Sequence, residues 1–89
     1  LERSSTLIME KARGIVTRVT KLGDTSLIVH WCSREAGLIK TVAKAARRAT
    51  SPFAGKIDLF VEAELVWSPS RKSALHILKE VEESGIYTE

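Results

Sequence analysis

Between Leu59 and Trp67 the chain alternates. Leu59, Val61, Ala63, Leu65 and Trp67 occupy every second position, with Phe60, Glu62, Glu64 and Val66 between them. A period of two sorts the sets onto opposite faces of an extended strand, whereas a helix would scatter both around its circumference. The segment is therefore read as a half-buried strand with Leu59, Val61, Ala63, Leu65 and Trp67 toward a core and the carboxylates toward solvent.

The same reading extends along the chain. Arg13 to Thr20 carries Ile15, Val16, Thr17, Val19 and Thr20, and Thr25 to Cys32 is rich in β-branched and aromatic residues after the Gly23-Asp24 turn signal. Ser33-Arg34-Glu35-Ala36-Gly37 suits a hairpin turn with Gly37 in the left-handed region, and Pro69 marks a break that a central strand does not tolerate. Five strands are expected, at about Lys11–Leu22, Asp24–Ser33, Leu38–Ala45, Ile57–Ser68 and Lys72–Glu82. Leu38 to Ala49 admits a second reading, because its alanines favour helix and Lys40, Lys44 and Arg48 fall on one helical stripe. Gly37 and the β-branched Ile39, Thr41 and Val42 favour the strand, with a helix starting near Lys44 as the alternative.

Five long strands joined mostly by tight turns, in a chain of 89 residues, point to a strongly curved sheet closed on itself. The expected fold is all-β, a five-stranded OB-type barrel with its longer connection, Ala46 to Lys56, between strands three and four. Residues 1–10 are read as an extension (Leu1-Glu2 being a cloning scar or a processed end), 11–83 as the barrel domain and 84–89 as a tail. Trp31 shares parity with Leu27 and Val29 and belongs, like Trp67, to the core; Phe53 could stack on a base or plug the barrel end.

Charge is distributed unevenly. From Lys11 to Lys56 ten basic residues face two acidic ones, a net +8, while from Ile57 to Glu89 the balance is −4. A basic half beside an acidic half suits a polyanion on one face and a second partner, or nothing, on the other. Lys40, Lys44, Arg47, Arg48 and Lys56 form the densest basic group, and such residues bind a phosphate backbone by releasing counterions, with Arg gripping phosphate bidentately. A solvated charged surface is the alternative.

Other chemistry finds little support. No apolar stretch approaches the roughly 20 residues of a membrane span, and no signal peptide is evident. Cys32 is the single cysteine, so neither an intrachain disulfide nor a cysteine-based zinc site can be built. His30 and Cys32 share a strand face, but a nucleophile and base also need an orienting group and a pocket, so a buried thiol and a rim imidazole are expected. Glu62 and Glu64 read as a solvent face. No catalytic residue, metal, cofactor or small-molecule substrate is expected.

Longer stretches carry a resemblance. Gly14-Ile15-Val16-Thr17-Arg18, Leu22-Gly23-Asp24-Thr25-Ser26-Leu27-Ile28-Val29, Ser33-Arg34-Glu35-Ala36-Gly37-Leu38-Ile39, Ala43-Lys44-Ala45-Ala46-Arg47-Arg48 with Ser51-Pro52-Phe53-Ala54-Gly55, and the last two strands resemble, in order and at compatible spacing, the N-terminal domain of the bacterial RecO recombination-mediator family. The match runs from about Arg13 to Glu83. It departs at Ala45, where the family more often has Gly, and at Ala49, where Pro or Lys is common. The resemblance implies a non-enzymatic OB-fold that binds single- and double-stranded DNA with little sequence preference. It implies support for strand annealing and for RecA loading with RecR and single-strand-binding protein, in the bacterial cytoplasm at the nucleoid. It also implies an isolated piece of a longer protein, without the helical, often zinc-binding domain that follows. The DNA contacts implied are Arg18, Arg34, Lys40, Lys44, Arg47, Arg48, Lys56 and Phe53. A protein-docking module using the acidic half, or an RNA-binding OB domain, are the alternatives.

Overall fold

The computed structural model describes residues 9–47, Ser51, Phe53 and 56–83. Five strands, β1 (Glu10–Leu22), β2 (Ser26–Ser33), β3 (Gly37–Ala43), β4 (Glu62–Ser68) and β5 (Leu75–Glu83), close into a barrel in the order β1-β2-β3-β5-β4. All neighbouring strands are antiparallel except β3 and β5, which close the barrel in parallel through Lys40 opposite Leu75, Thr41 opposite His76 and Val42 opposite Ile77. This is the expected OB-type barrel, with the long connection between strands three and four. No helix occurs among the described residues, and Lys44 to Arg47 form a turn.

The alternation of β4 behaves as read, whereas on β5 a register shift opposite Val66 and Trp67 breaks the period of two, so that Leu78 rather than Ile77 is buried with Val81. Ala63, Leu65 and Trp67 point inward and are buried, while Glu62 and Glu64 between them are half-buried. The expected start of the fourth strand at Ile57 is corrected to Glu62, because Asp58 to Val61 close a turn in which the Val61 N–H donates to the Asp58 carbonyl at 3.2 Å. Leu59 has the right parity for the core but sits in that turn and is 49% exposed. The fifth strand starts at Leu75 rather than Lys72, and the third ends at Ala43. Ala45 takes a φ of 58°, a left-handed conformation that favours glycine, at the position where the resembling family more often has it. Gly23 and Gly37 make the turns on either side of β2 with φ of 67° and 74°.

The core holds a polar relay. The Trp31 indole Nε1 donates to Thr41 Oγ1 at 3.0 Å, and Thr41 Oγ1 donates to the Val29 carbonyl at 3.2 Å. Trp31 and Thr41 are both fully buried, so each polar atom would be costly without its partner. Around the relay pack Val16, Val29, Ile39, Phe53, Leu65, Trp67, Leu78 and Val81. Of the two roles open to Phe53, packing inside the barrel is the one observed, with 6% of its surface exposed.

Replacing Thr41 with Val keeps the shape but removes the acceptor for the indole. Urea denaturation should show a loss of about 1–3 kcal/mol, the cost of an unsatisfied buried donor, while Thr41→Ser retains most of the stability. Equal stability of the Val and Ser variants would contradict a structural role for the relay.

Candidate nucleic-acid interface

Strand register, rather than sequence proximity, assembles the basic surface. On β1 an irregularity between Val16 and Arg18 inserts Thr17, and the pairing resumes with Arg18 opposite His30. The Thr17 hydroxyl donates to the His30 carbonyl at 3.3 Å across this bulge. His30 in turn lies opposite Lys40 on β3. Arg18, His30 and Lys40 thus form a row across three strands on the outer face of the barrel. Neighbouring strands lie about 4.8 Å apart, so the row spans about 10 Å between its outer Cα atoms. Arg18 and Lys40 are exposed and His30 is half-buried.

Mostly apolar rows flank this cationic one. On one side Ile15 lies opposite Cys32 and Cys32 opposite Leu38, and the outer two side chains are 42% and 82% exposed. On the other, Thr20, Ile28, Val42 and Ile77 follow one another across β1, β2, β3 and β5. Cys32 is exposed, a correction to the expected buried thiol: the parity that places Trp31 and Ser33 inside necessarily places the residue between them outside.

The remaining expected contacts are dispersed. Lys44 and Arg47 sit at the end of the barrel that carries the β1–β2 turn. There the Arg47 N–H donates to the Thr25 carbonyl at 2.8 Å, and Arg47 Nη1 donates to the carbonyls of Asp24 at 3.0 Å and Gly23 at 3.4 Å. Arg47 is therefore a clasp between two turns, and the rest of its guanidinium stays exposed. Lys21, on the same end of β1, is also exposed. Arg34 belongs to the opposite end, in a cleft of ≈ 590 Å³ whose walls carry Lys11, Arg13 and Arg34 against Glu35, Glu62 and Glu64. Three cations against three carboxylates leave that cleft no preference for an anion. Its hairpin is ordered by Ser33, whose hydroxyl donates to Glu35 Oε1 at 3.1 Å and accepts from the Ala36 N–H at 3.2 Å. The Glu35 carboxyl is held below its ordinary value, first by its own backbone N–H, then by the Ser33 hydroxyl, with Arg13 contributing less. Lys56 lies on the β5 side, sharing a shallow groove with Lys79, Glu80 and Glu82. Phe53 is in the core, and Arg48 lies outside the described residues.

The acidic half of the sequence forms a second surface. Glu64 on β4 lies directly opposite Glu82 on β5. The barrel order β1-β2-β3-β5-β4 puts this pair on the far side from β2. Among the described residues no group of three or more His, Cys, Asp or Glu side chains is placed to hold a metal ion. One feature escaped reading by sequence alone: His30 joins the cationic row only through the register. Phe60, an aromatic on the solvent parity of its segment, is 76% exposed and bonded to β1 beside this face.

The family described as "Recombination protein O N terminal" matches residues 8–87. A protein named DNA repair protein RecO from Cyanothece sp. (strain PCC 7425 / ATCC 29141) is 39% identical over 72 residues, covering 81% of this chain and 24% of the relative. A protein of the same name from Bifidobacterium adolescentis is 31% identical over 74 residues, covering 83% of this chain and 29% of the relative. The chain thus spans about a quarter of the length of the curated relatives it matches.

The clasp made by Arg47 generates a stability prediction. Arg47→Lys keeps the charge but loses the planar fork, so it should unfold as readily as Arg47→Ala, each about 1 kcal/mol below the parent by urea denaturation. Full stability in the Lys variant would mean that charge alone, not the hydrogen bonds to Gly23 and Asp24, holds the turns together.

Proposed function

This chain belongs to the family of the N-terminal domain of recombination protein O, and from that premise we propose that its barrel is a non-enzymatic DNA-binding module in DNA repair and recombination. The observation that carries the reading is the row Arg18–His30–Lys40 on the outer face of β1, β2 and β3. OB-folds bind oligonucleotides on the face built from strands two and three and the adjoining loops. Lys44, Arg47 and Lys21 extend the positive surface toward the β1–β2 turn. A phosphate backbone laid along these residues releases counterions, which supplies affinity without reading sequence. Single- and double-stranded DNA therefore both qualify as ligands.

Polarity of the barrel supports the same reading. The Glu64–Glu82 pair on the far side repels phosphate, so DNA is directed to one face. Two strands bound to partly neutralising surfaces repel each other less, which is the physical basis on which such a module supports strand annealing. Cooperation with RecR, single-strand-binding protein and RecA is part of the proposal through the family premise. Lys56, beside Glu80 and Glu82, and Arg34, in its charge-balanced cleft, have smaller parts in it than their sequence positions suggest.

A salt series with a labelled single-stranded oligomer tests the reading. The parent should lose affinity steeply with salt, and Arg18→Ala with Lys40→Ala should bind more weakly, with a slope shallower by about 0.7 per lost phosphate contact. Lys56→Ala should match the parent. Salt-independent binding, or a loss in Lys56→Ala equal to that of the double variant, contradicts it.

A further inference from the structure

Phe60 occupies a backbone position built for glycine. Its N–H donates to the Val16 carbonyl at 2.7 Å, while the Val16 N–H donates to the Val61 carbonyl at 3.1 Å. Two residues, Phe60 and Val61, thus oppose one on β1. This is the hydrogen-bond pattern of a bulge whose first residue sits in the left-handed region and is ordinarily Gly. Phe60 has a φ of 63° and is also the third residue of the Asp58–Val61 turn. A bulky side chain in that conformation is strained.

Burial does not offset the strain, because 76% of Phe60 is exposed. The other described aromatic side chains are inside: Trp31 at 0%, Phe53 at 6% and Trp67 at 6%. Leu59 beside it is 49% exposed. A strained, solvent-facing aromatic residue adds nothing to folding, which directs attention to what the ring meets in solution.

The neighbourhood supplies the answer. Val16, which holds the Phe60 backbone, is followed on β1 by the bulged Thr17 and then by Arg18, the first member of the cationic row. Moving from the β3–β4 connection through β1 and β2 to β3, the backbone therefore places the exposed Phe60 beside β1 and then Arg18, His30 and Lys40 in a row. An unpaired nucleotide offers a base with a free π-face and a phosphate that takes a cation, and this face has a partner for each. A duplex hides its bases in the stack and offers only the phosphates.

Resting on the nucleic-acid reading above, we propose that Phe60 is a base-stacking residue that biases this face toward single-stranded over double-stranded DNA. The arrangement explains how a sequence-blind electrostatic surface acquires a preference for unpaired strands.

The test uses this chain with an oligothymidylate and a duplex of equal length, by fluorescence anisotropy at one salt concentration. Phe60→Gly relieves the left-handed strain, so its melting temperature should equal or exceed the parent's. Its affinity for the single strand should fall by about tenfold, within the roughly 5- to 150-fold worth of one stacked base, while duplex affinity stays within about twofold. Phe60→Trp should retain single-strand binding. A lower melting temperature for Phe60→Gly, or equal weakening on both DNAs, overturns the proposal by making the ring structural. Unchanged binding of both DNAs also overturns it and leaves the exposed ring to a protein partner. Failure of the broader reading looks different: the parent then binds neither DNA, or Arg18→Ala with Lys40→Ala leaves both affinities intact.

Discussion

The hydrogen bond from the Trp31 indole to Thr41 fixes more than the core around it. The Thr41 hydroxyl in turn donates to the carbonyl of Val29, its direct partner across β2 and β3. On its other side Thr41 lies opposite His76, in the short parallel pairing that closes the barrel. One buried hydroxyl therefore sits where two pairings meet. A slip of one residue in either would turn every inward side chain out, and it would strand the indole N–H without an acceptor. The same register that keeps Trp31 inside keeps His30 and Lys40 side by side outside. The outer face is in that sense a product of the inner one.

Irregular backbone borders this face, although a second register shift, between Val66 and Trp67, lies on the β4–β5 side. Thr17 is inserted at the point on β1 from which Arg18 is aimed opposite His30. Ala45, with φ of 58°, leads the chain from β3 into the turn where Arg47 clasps the β1–β2 connection. Phe60, with φ of 63°, is bonded to the residue just ahead of the bulge. Gly23 and Gly37 adopt similar angles at no steric cost, so the two non-glycine positions stand apart. Local strain gathers at functional sites when the surrounding structure determines it, and here the rigid barrel supplies that surrounding.

Much of the fold was legible because a half-buried strand writes its two faces directly into alternate residues. Ala63, Leu65 and Trp67 were read as core on that basis and are buried. The boundary at Ile57 misled because a turn can imitate alternation: Leu59 and Val61 keep the parity, but the Asp58 carbonyl is already accepting from Val61. The burial of Cys32 was misjudged from residue type, although the parity of Trp31 pointed the other way. The site was less legible than the fold, since neighbours in sequence are parted by the barrel. Lys40, on β3, and Lys56, in the connection that follows it, lie on different sides, the first in a cationic row and the second beside Glu80 and Glu82. Arg18, His30 and Lys40 are far apart in the chain and adjacent in space, and only the register, with its inserted Thr17, brings them together. The exposed ring of Phe60 has the parity of Glu62 and Glu64, so its outward placement was readable, but the glycine-like backbone beneath it was not.

The central claim is that one face of the barrel meets nucleic acid. A backbone amide chemical-shift titration of this chain with an oligothymidylate maps that contact residue by residue. The account predicts that the largest shifts fall on β1, β2 and β3 around Arg18, His30 and Lys40 and continue toward Lys44, with little change at Glu64 and Glu82. Shifts centred on the cleft lined by Lys11, Arg13 and Arg34, or spread evenly over both sides of the barrel, would contradict it.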